Sequence, residues 1–297
     1  MREPANIRLL PDGRRLHLQD GPIDLIVEAS GSSTAVHAAY EAAARRFITI
    51  LDELCAELPL LRERARPNAI RPSGGVARRM ADVVAPYQER WFITPMAAVA
   101  GAVAETVLES MIDAAKIDRG YVNNGGDIAL HLTTLQSYTI GMVARPNHPS
   151  LFGSFEISSD LPVRGVATSG WRGRSFSLGI ADAVTVLANS AAGADAAATI
   201  LANSVDLPGH ASIVRVPACE IAPDSDLREI PITRHVGELN PAEIEQALSS
   251  GSQLAEELLA EGLICAAAFS LQGQTRIVAP DTVQDHLGIS RRSLLHA

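Results

Sequence analysis

Apolar and polar positions along this chain follow two rhythms. Ile7 to Leu10, Arg14 to Gln19 and Ile23 to Ala29 are short stretches separated by turn residues such as Pro11-Asp12-Gly13, which predicts a meander of strands. Ser30-Gly31-Ser32-Ser33-Thr34 then offers capping hydroxyls. After it Val36, Tyr40, Ala43, Phe47, Ile50, Leu51, Leu54 and Leu58 recur at steps of three and four, which predicts one helix with a single apolar stripe. Pro59 follows, and the Arg-, Pro- and Gly-rich stretch from Arg62 to Gly75 reads as a loop.

A second helix is predicted from Pro95, a good first-turn residue, to about Ala115. Its residues are small on nearly every side, which suits either burial against a sheet or close approach of a second backbone or a flat ligand. Gly120 to Leu130 reads as strand, glycine turn and strand. Further strands are expected at Tyr138 to Ala144, Leu151 to Ile157, Arg164 to Thr168, Ala183 to Ala188, Ala211 to Val216, Ile230 to His235 and Ile264 to Leu271. Ala191 to Asn203 reads as an alanine-rich helix without a strong cap, and Pro241 to Leu259 as an amphipathic one. Strands in meanders rather than strict alternation predict an α+β fold. The strand-then-helix order of residues 23–58 and 183–203 hints at an internal duplication.

At 297 residues, with 47% hydrophobic and 20% charged positions, the chain is long enough for a proper core. Its net charge of −9 argues against nucleic acid or an anionic membrane as partner. Lys116 is the single lysine, so it is the one candidate for any lysine-based chemistry. Cys55, Cys219 and Cys265 lack paired spacing and read as buried thiols. The eight histidines show no close metal-ligand spacing, though His210 and His235 stay open as site residues. Met1 to Leu10 shows no secretory pattern, and no uninterrupted run of about 18 apolar residues occurs, so a cytoplasmic location is expected. The alanine-lined helix and the acidic helix from Pro241 are faces suited to self-association into a homo-oligomer.

Three stretches carry candidate chemistry. Asn123-Asn124-Gly125-Gly126-Asp127 places two glycines between strands, where bare amides can approach a phosphate or a ring; the alternative is an ordinary Asn-Gly hairpin with Asp127 solvating the bend. Gly165-Val166-Ala167-Thr168-Ser169-Gly170 leaves a strand with two hydroxyls and continues into Trp171-Arg172-Gly173-Arg174, a set that can meet an anion or can form a loop bonded to its own backbone. Asp195 and Thr199 lie four apart on the alanine-rich helix, where their oxygens suit Mg²⁺; a first-turn Asp and a hydroxyl bonded back to a carbonyl is the alternative. Asp224-Ser225-Asp226 suits a cation or a turn, and Gly179 with Asp182 either flanks a site or connects strands.

Taken in order, the glycine loop with its Asp, Ala167-Thr168-Ser169-Gly170, and Ala194-Asp195-Ala196 followed by Thr199 resemble the signature of the ApbE-like superfamily, whose best-known members are Mg²⁺-dependent FAD:protein FMN transferases. The resemblance covers residues 90–206 clearly and 23–58 loosely. Within the superfamily the chain is similar to a branch catalogued as an uncharacterised protein family, in Met96 to Glu105, the glycine loop, Gly165 to Gly170, Ala194 to Asp206, Val205-Asp206-Leu207-Pro208, Pro223 to Leu227 and Gly262-Leu263-Ile264. It implies one ApbE-like domain over residues 1–297, with N-terminal strands and helix (7–60), a motif-bearing core (90–206) and C-terminal strands and helix (207–280). It further implies a flavin nucleotide, FAD, lined by Asn123, Asn124, Gly125, Gly126 and Asp127, contacted by Ala167, Thr168, Ser169 and Gly170, with Asp195 and Thr199 as magnesium ligands and catalytic residues. FMN transfer to an acceptor protein, FAD diphosphate hydrolysis, and non-catalytic binding or delivery are the activities it allows, and an enzyme acting on another small molecule in the same cleft is the remaining alternative. Two departures stand out. Ser175 to Asp182 runs almost directly into the strand at Ala183, where the transferases carry a longer loop, and Ala100-Gly101 stands where they carry Lys-Gly.

Overall fold

The computed structural model describes residues 4–143, 151–284 and 287–288. In chain order the elements are β1 (Asn6–Leu9), β2 (Leu16–Asp20), β3 (Ile23–Ser30), α1 (Ser33–Ala56), α2 (Leu58–Leu61), α3 (Gly75–Val84) and α4 (Val99–Ala114). There follow β4 (Arg119–Asn124), β5 (Asp127–Leu132), β6 (Ser137–Val143), β7 (Leu151–Ser158), β8 (Gly165–Ser169), β9 (Ala183–Ala188) and α5 (Ala191–Ser204). Last come β10 (Ile213–Pro217), α6 (Ala218–Ile221), β11 (Pro231–Val236), α7 (Pro241–Ala260), β12 (Ala266–Leu271), β13 (Gln274–Val278), α8 (Asp281–Gln284) and β14 (Leu287–Gly288). The fold is α+β, and the strand pairings among the described residues run antiparallel. Ala144, the end of one expected strand, lies outside the described residues, as do Met1 to Glu3 of the N-terminal stretch and His148, His286 and His296.

The chain forms two compact units. One is drawn from Met1–Gln136, Val163–Ala167 and Ala188–Ala196, the other from Ser137–Pro162, Thr168–Leu187 and Ala197–Ala297. In the first, β1 to β5 form a consecutive antiparallel meander, and Ile128 and Ala129 of β5 pair with Val166 and Gly165 of β8. The Ser32 hydroxyl accepts the Ala35 amide and starts α1, whose stripe of Ala39, Ala43, Phe47, Ile50 and Leu54 is buried. Burial of each large side chain in that stripe contributes roughly 1.5–3 kcal/mol. The helix packs against α4, which also lies on β4 and β5. In the second unit β9, β12 and β13 form one antiparallel set, β10 pairs with β11, and β6 and β14 flank β7. There α7 covers β12 and β13, with Leu248, Leu258, Phe269 and Leu271 buried.

Several expectations need correction. The cysteines are not all buried: Cys55 is exposed on α1, because it lies off the apolar stripe, and Cys219 and Cys265 are partly exposed. The Arg62 to Gly75 loop ends in α3, whose Val76, Ala77, Met80 and Val84 are buried. Glu57 ties the approach to that helix by accepting the amides of Ser73 and Gly74, each at 2.7 Å. The helix predicted from Pro95 starts as a 3-10 turn, Pro95–Ala98, before α4 begins. The stretch Pro95–Ala114 is long and apolar enough to cross a membrane by length and composition, and half of that window is buried within the protein. Strand β13 and the short helices α2 and α6 have no counterpart among the elements expected from the sequence.

Candidate functional site

The glycine turn is a two-residue hairpin. Asn124 pairs with Asp127 across β4 and β5, and Gly125 and Gly126 between them take φ values of 68° and 121°. Two consecutive positive φ angles are what such a tight hairpin demands, and glycine meets them without strain. The Asn123 side chain fixes the turn further, its Oδ1 accepting the Gly126 amide at 2.8 Å. Asn124 points its amide elsewhere: Nδ2 donates to the Ala100 carbonyl at 3.1 Å, at the start of α4.

That carbonyl belongs to the same peptide group as the Gly101 amide, and the amide donates to Oδ2 of Asp195 at 3.0 Å. The Ala100 amide also bonds to the Asp195 carboxylate. A helix leaves its first amides without intrahelical partners, and α4 supplies no capping side chain of its own. Asp195, 94 residues further along the chain, fills that role.

The start of α5 is held in the same way. Ser190 Oγ accepts the Gly193 amide at 3.1 Å, so the helix read as uncapped has a cap one residue before its first alanine. Glu105 of α4 accepts the Ala192 amide at 3.1 Å through Oε2, while its Oε1 lies 3.4 Å from Arg79 Nε of α3. These contacts need an unusually close approach of backbones. A Cβ on Gly101 would stand 2.3 Å from the Ala191 carbonyl oxygen, and one on Gly165 would stand 2.1 Å from that of Ser190. The Ser190-Ala191-Ala192 backbone therefore runs between two glycines, one on α4 and one on β8.

The electrostatics follow from this packing. Although part of Asp195 reaches solvent, its carboxyl pKa is raised well above the ordinary aspartate value by desolvation first and by the nearby Asp127 charge second. The Gly101 and Ala100 amides act in the opposite direction and do not win.

The structure thus brings together Asn123, Asn124, Gly125, Gly126, Asp127 and Asp195 within the first unit, where Ala167 is also found, fully buried. Thr168, Ser169, Gly170 and Thr199 belong to the second unit. There Thr168 Oγ1 lies 2.9 Å from Thr185 Oγ1, and Arg172 stacks over Trp171 at 4.3 Å while its Nε bonds to the buried Asp182. Arg172 is engaged with protein groups, and Arg174 is exposed. Asp182 is a structural anchor that also accepts the Gln272 amide at 2.7 Å. His210 pairs with Glu243 at 3.2 Å, His235 is exposed, and Asp224 to Asp226 sit in turns. Among the described residues no group of three or more His, Cys, Asp or Glu is clustered as a metal site. Sequence reasoning missed Ala100 and Gly101 as partners of Asn124 and Asp195, and missed Glu105; the sole hint was the run of small residues that starts α4.

A protein-family model described as AbpE bacteria matches residues 7–277. Among curated relatives, the UPF0280 protein of Methanopyrus kandleri is 39% identical over 130 residues, covering 43% of this chain and 49% of that protein. The UPF0280 protein of Methanosphaerula palustris is 36% identical over 156 residues, covering 52% and 63%. The chain spans about half the length of the curated relatives it matches. Two solved structures align along most of the chain: the apo flavinyl transferase ApbE of Pseudomonas stutzeri (13% identity, TM-score 0.43, 97% of this chain and 100% of that one) and the flavin transferase ApbE of Vibrio cholerae (14%, 0.43, 95% and 100%). At that TM-score the two likenesses carry no weight beside the family model.

Proposed function

We propose, from the premise that this chain belongs to the AbpE bacteria family, that its first unit binds a flavin nucleotide, FAD, where the Gly125-Gly126 turn meets the starts of α4 and α5. One observation carries the reading: a single peptide group, Ala100-Gly101, is gripped on its carbonyl by Asn124 and on its amide by Asp195. That grip joins two of the three motifs that resemble the ApbE-like signature.

The same geometry favours a cation-dependent mode of binding. Helix N-termini ordinarily attract phosphate directly. Here carboxylates already occupy the first amides of α4 and α5, and Asp127 and Asp195 place like charges together. A diphosphate meets repulsion at this corner unless a divalent cation intervenes. The donor set fits Mg²⁺, being carboxylate oxygen with neither thiolate nor imidazole, and Asp195 and Asp127 would hold it. When bound, the cation neutralises phosphoryl oxygens and so favours in-line attack on the diphosphate. Asn123 keeps the turn in shape, and Asn124 anchors it to α4. The matching reaction is attack by an acceptor-protein hydroxyl, or by water, on the FMN phosphorus. The phosphoanhydride bond to AMP breaks, AMP leaves with the electron pair, and the proton of the attacking oxygen passes to solvent.

Titration of the purified protein with FAD, in Mg²⁺ and in EDTA, tests the binding claim. Saturable binding that weakens at least tenfold in EDTA supports it, and no binding in either buffer overturns it. Release of FMN or AMP, or flavinylation of an added acceptor, separates an enzyme from a delivery module. The second reading is favoured by Ala100, which puts a methyl where the transferases carry a lysine. Retained flavin of unchanged mass and no turnover is its expected result.

A further inference from the structure

Glu105 and Asp195 form a reciprocal pair. Glu105 stands on α4 and accepts an amide from the first turn of α5, while Asp195 stands on α5 and accepts amides from the first turn of α4. Each helix supplies a carboxylate acceptor to the first turn of the other, beside the Ser190 cap that α5 has of its own. The arrangement is feasible because Gly101 lets the backbones meet, and it is braced from outside. Arg79 of α3 reaches Glu105, donates to Thr106 Oγ1 at 3.0 Å, and donates to both carboxylate oxygens of Glu109 at 2.7 Å.

We propose that Glu105 is a positioning residue of this corner: by holding the Ala192 amide it fixes the first turn of α5, and through it the Asp195 carboxylate against α4. The proposal deepens the flavin-nucleotide reading, on which its functional consequence rests. Glu105 itself touches no reacting group. Its effect is on where Asp195 stands, and so on whether Asp195 and Asp127 can share one cation. Partners of this kind, one step removed from a ligand, typically change affinity about 10- to 100-fold when removed.

The test compares Glu105→Ala, Glu105→Asp, whose shorter stem cannot reach Ala192, and Glu105→Gln, whose carbonyl oxygen can still accept that amide. Leu54→Ala, in the buried stripe of α1, serves as a control for lowered stability alone. Amide hydrogen exchange is followed at residues 191–194 and 99–102, and FAD affinity is measured in Mg²⁺. The expected result is that Glu105→Ala and Glu105→Asp lose protection at both segments, the second being the remote one, and weaken FAD binding about tenfold. Glu105→Gln should restore both to near the parent. Loss confined to residues 191–194, or a pattern matching Leu54→Ala, overturns the proposal. Should one variant fail to fold, the other tests the same contact. If the parent protein binds no FAD, the flavin reading falls, and hydrogen exchange alone still decides whether Glu105 positions Asp195.

Discussion

The starts of α7 and α4 solve one problem in two ways. At α7, Asn240 accepts the amides of Ala242 and Glu243 at 3.0 Å each, and Glu243 returns to the Asn240 amide at 2.8 Å, so the whole cap lies within four consecutive residues. At α4 the cap is a carboxylate from 94 positions away. Each carboxylate accepts backbone amides at a helix N-terminus, yet they shift in opposite directions. The Asn240 amide and then His210 lower the pKa of the partly exposed Glu243, whereas desolvation and then Asp127 raise that of Asp195. A hydrogen bond to an amide favours the charged form in both places. What decides the sign is whether water and neighbouring charge are with it or against it.

The sharpest way to break this contrast is to remove the close approach that makes the α4 cap feasible. Gly101→Ala puts a methyl where only 2.3 Å separates it from a backbone oxygen, and should cost about 3 kcal/mol by urea denaturation. A loss below roughly 0.5 kcal/mol would mean that α4 and α5 are not packed so tightly. Next in size, Asp195→Ala orphans the amides of Ala100 and Gly101 and should cost about 2 kcal/mol. Asp195→Asn keeps an accepting oxygen and removes the repulsion with Asp127, so in Mg²⁺-free buffer it should lose under about 0.5 kcal/mol. If the two variants fall equally, the charge is indispensable to the cap. Asn240→Ala, which removes the local cap of α7, should cost about 1 kcal/mol in the same assay.

The smallest effect is the most diagnostic. Asp195, raised above the ordinary 3.8, binds its proton more tightly when folded, so its contribution to stability is full below that pH and is lost as pH rises through the raised value. Glu243, lowered below 4.5, contributes above that pH and loses its contribution as pH falls through the lowered value. In scans of Tm against pH without divalent cations, Asp195→Asn should gain on the parent as pH rises above about 4, and Glu243→Gln should converge with the parent in acid. Parallel curves for both would erase the contrast.

The local devices are legible in the chain. The apolar stripe from Val36 to Leu54, the Gly125-Gly126 hairpin and the helix from Pro241 each announce themselves within a few residues, because period, turn glycine and helix-initiating proline act on near neighbours. Helix α3 escapes such a reading because it follows an Arg- and Pro-rich approach that Glu57 organises from 16 residues upstream. Cys55 misleads because composition predicts burial for cysteine, while the helical phase of α1 turns this one outward. The Ser190 cap of α5 is easily overlooked beside the alanines that follow it.

The candidate site divides along the same line. Asn123 to Asp127, Thr168 to Gly170, and Asp195 with Thr199 stand out in the sequence, since their residue types restrict what the backbone and the side chains can do. That Asp195 would grip the Ala100-Gly101 peptide, that Glu105 would return the grip, and that two glycines would flank the Ser190-Ala191-Ala192 backbone were decided only by the tertiary structure. Residue order dictates which short-range torsions and periodicities are cheap. Which distant carboxylate meets which orphaned amide depends on helices docking within a van der Waals contact, and no local rule encodes that distance.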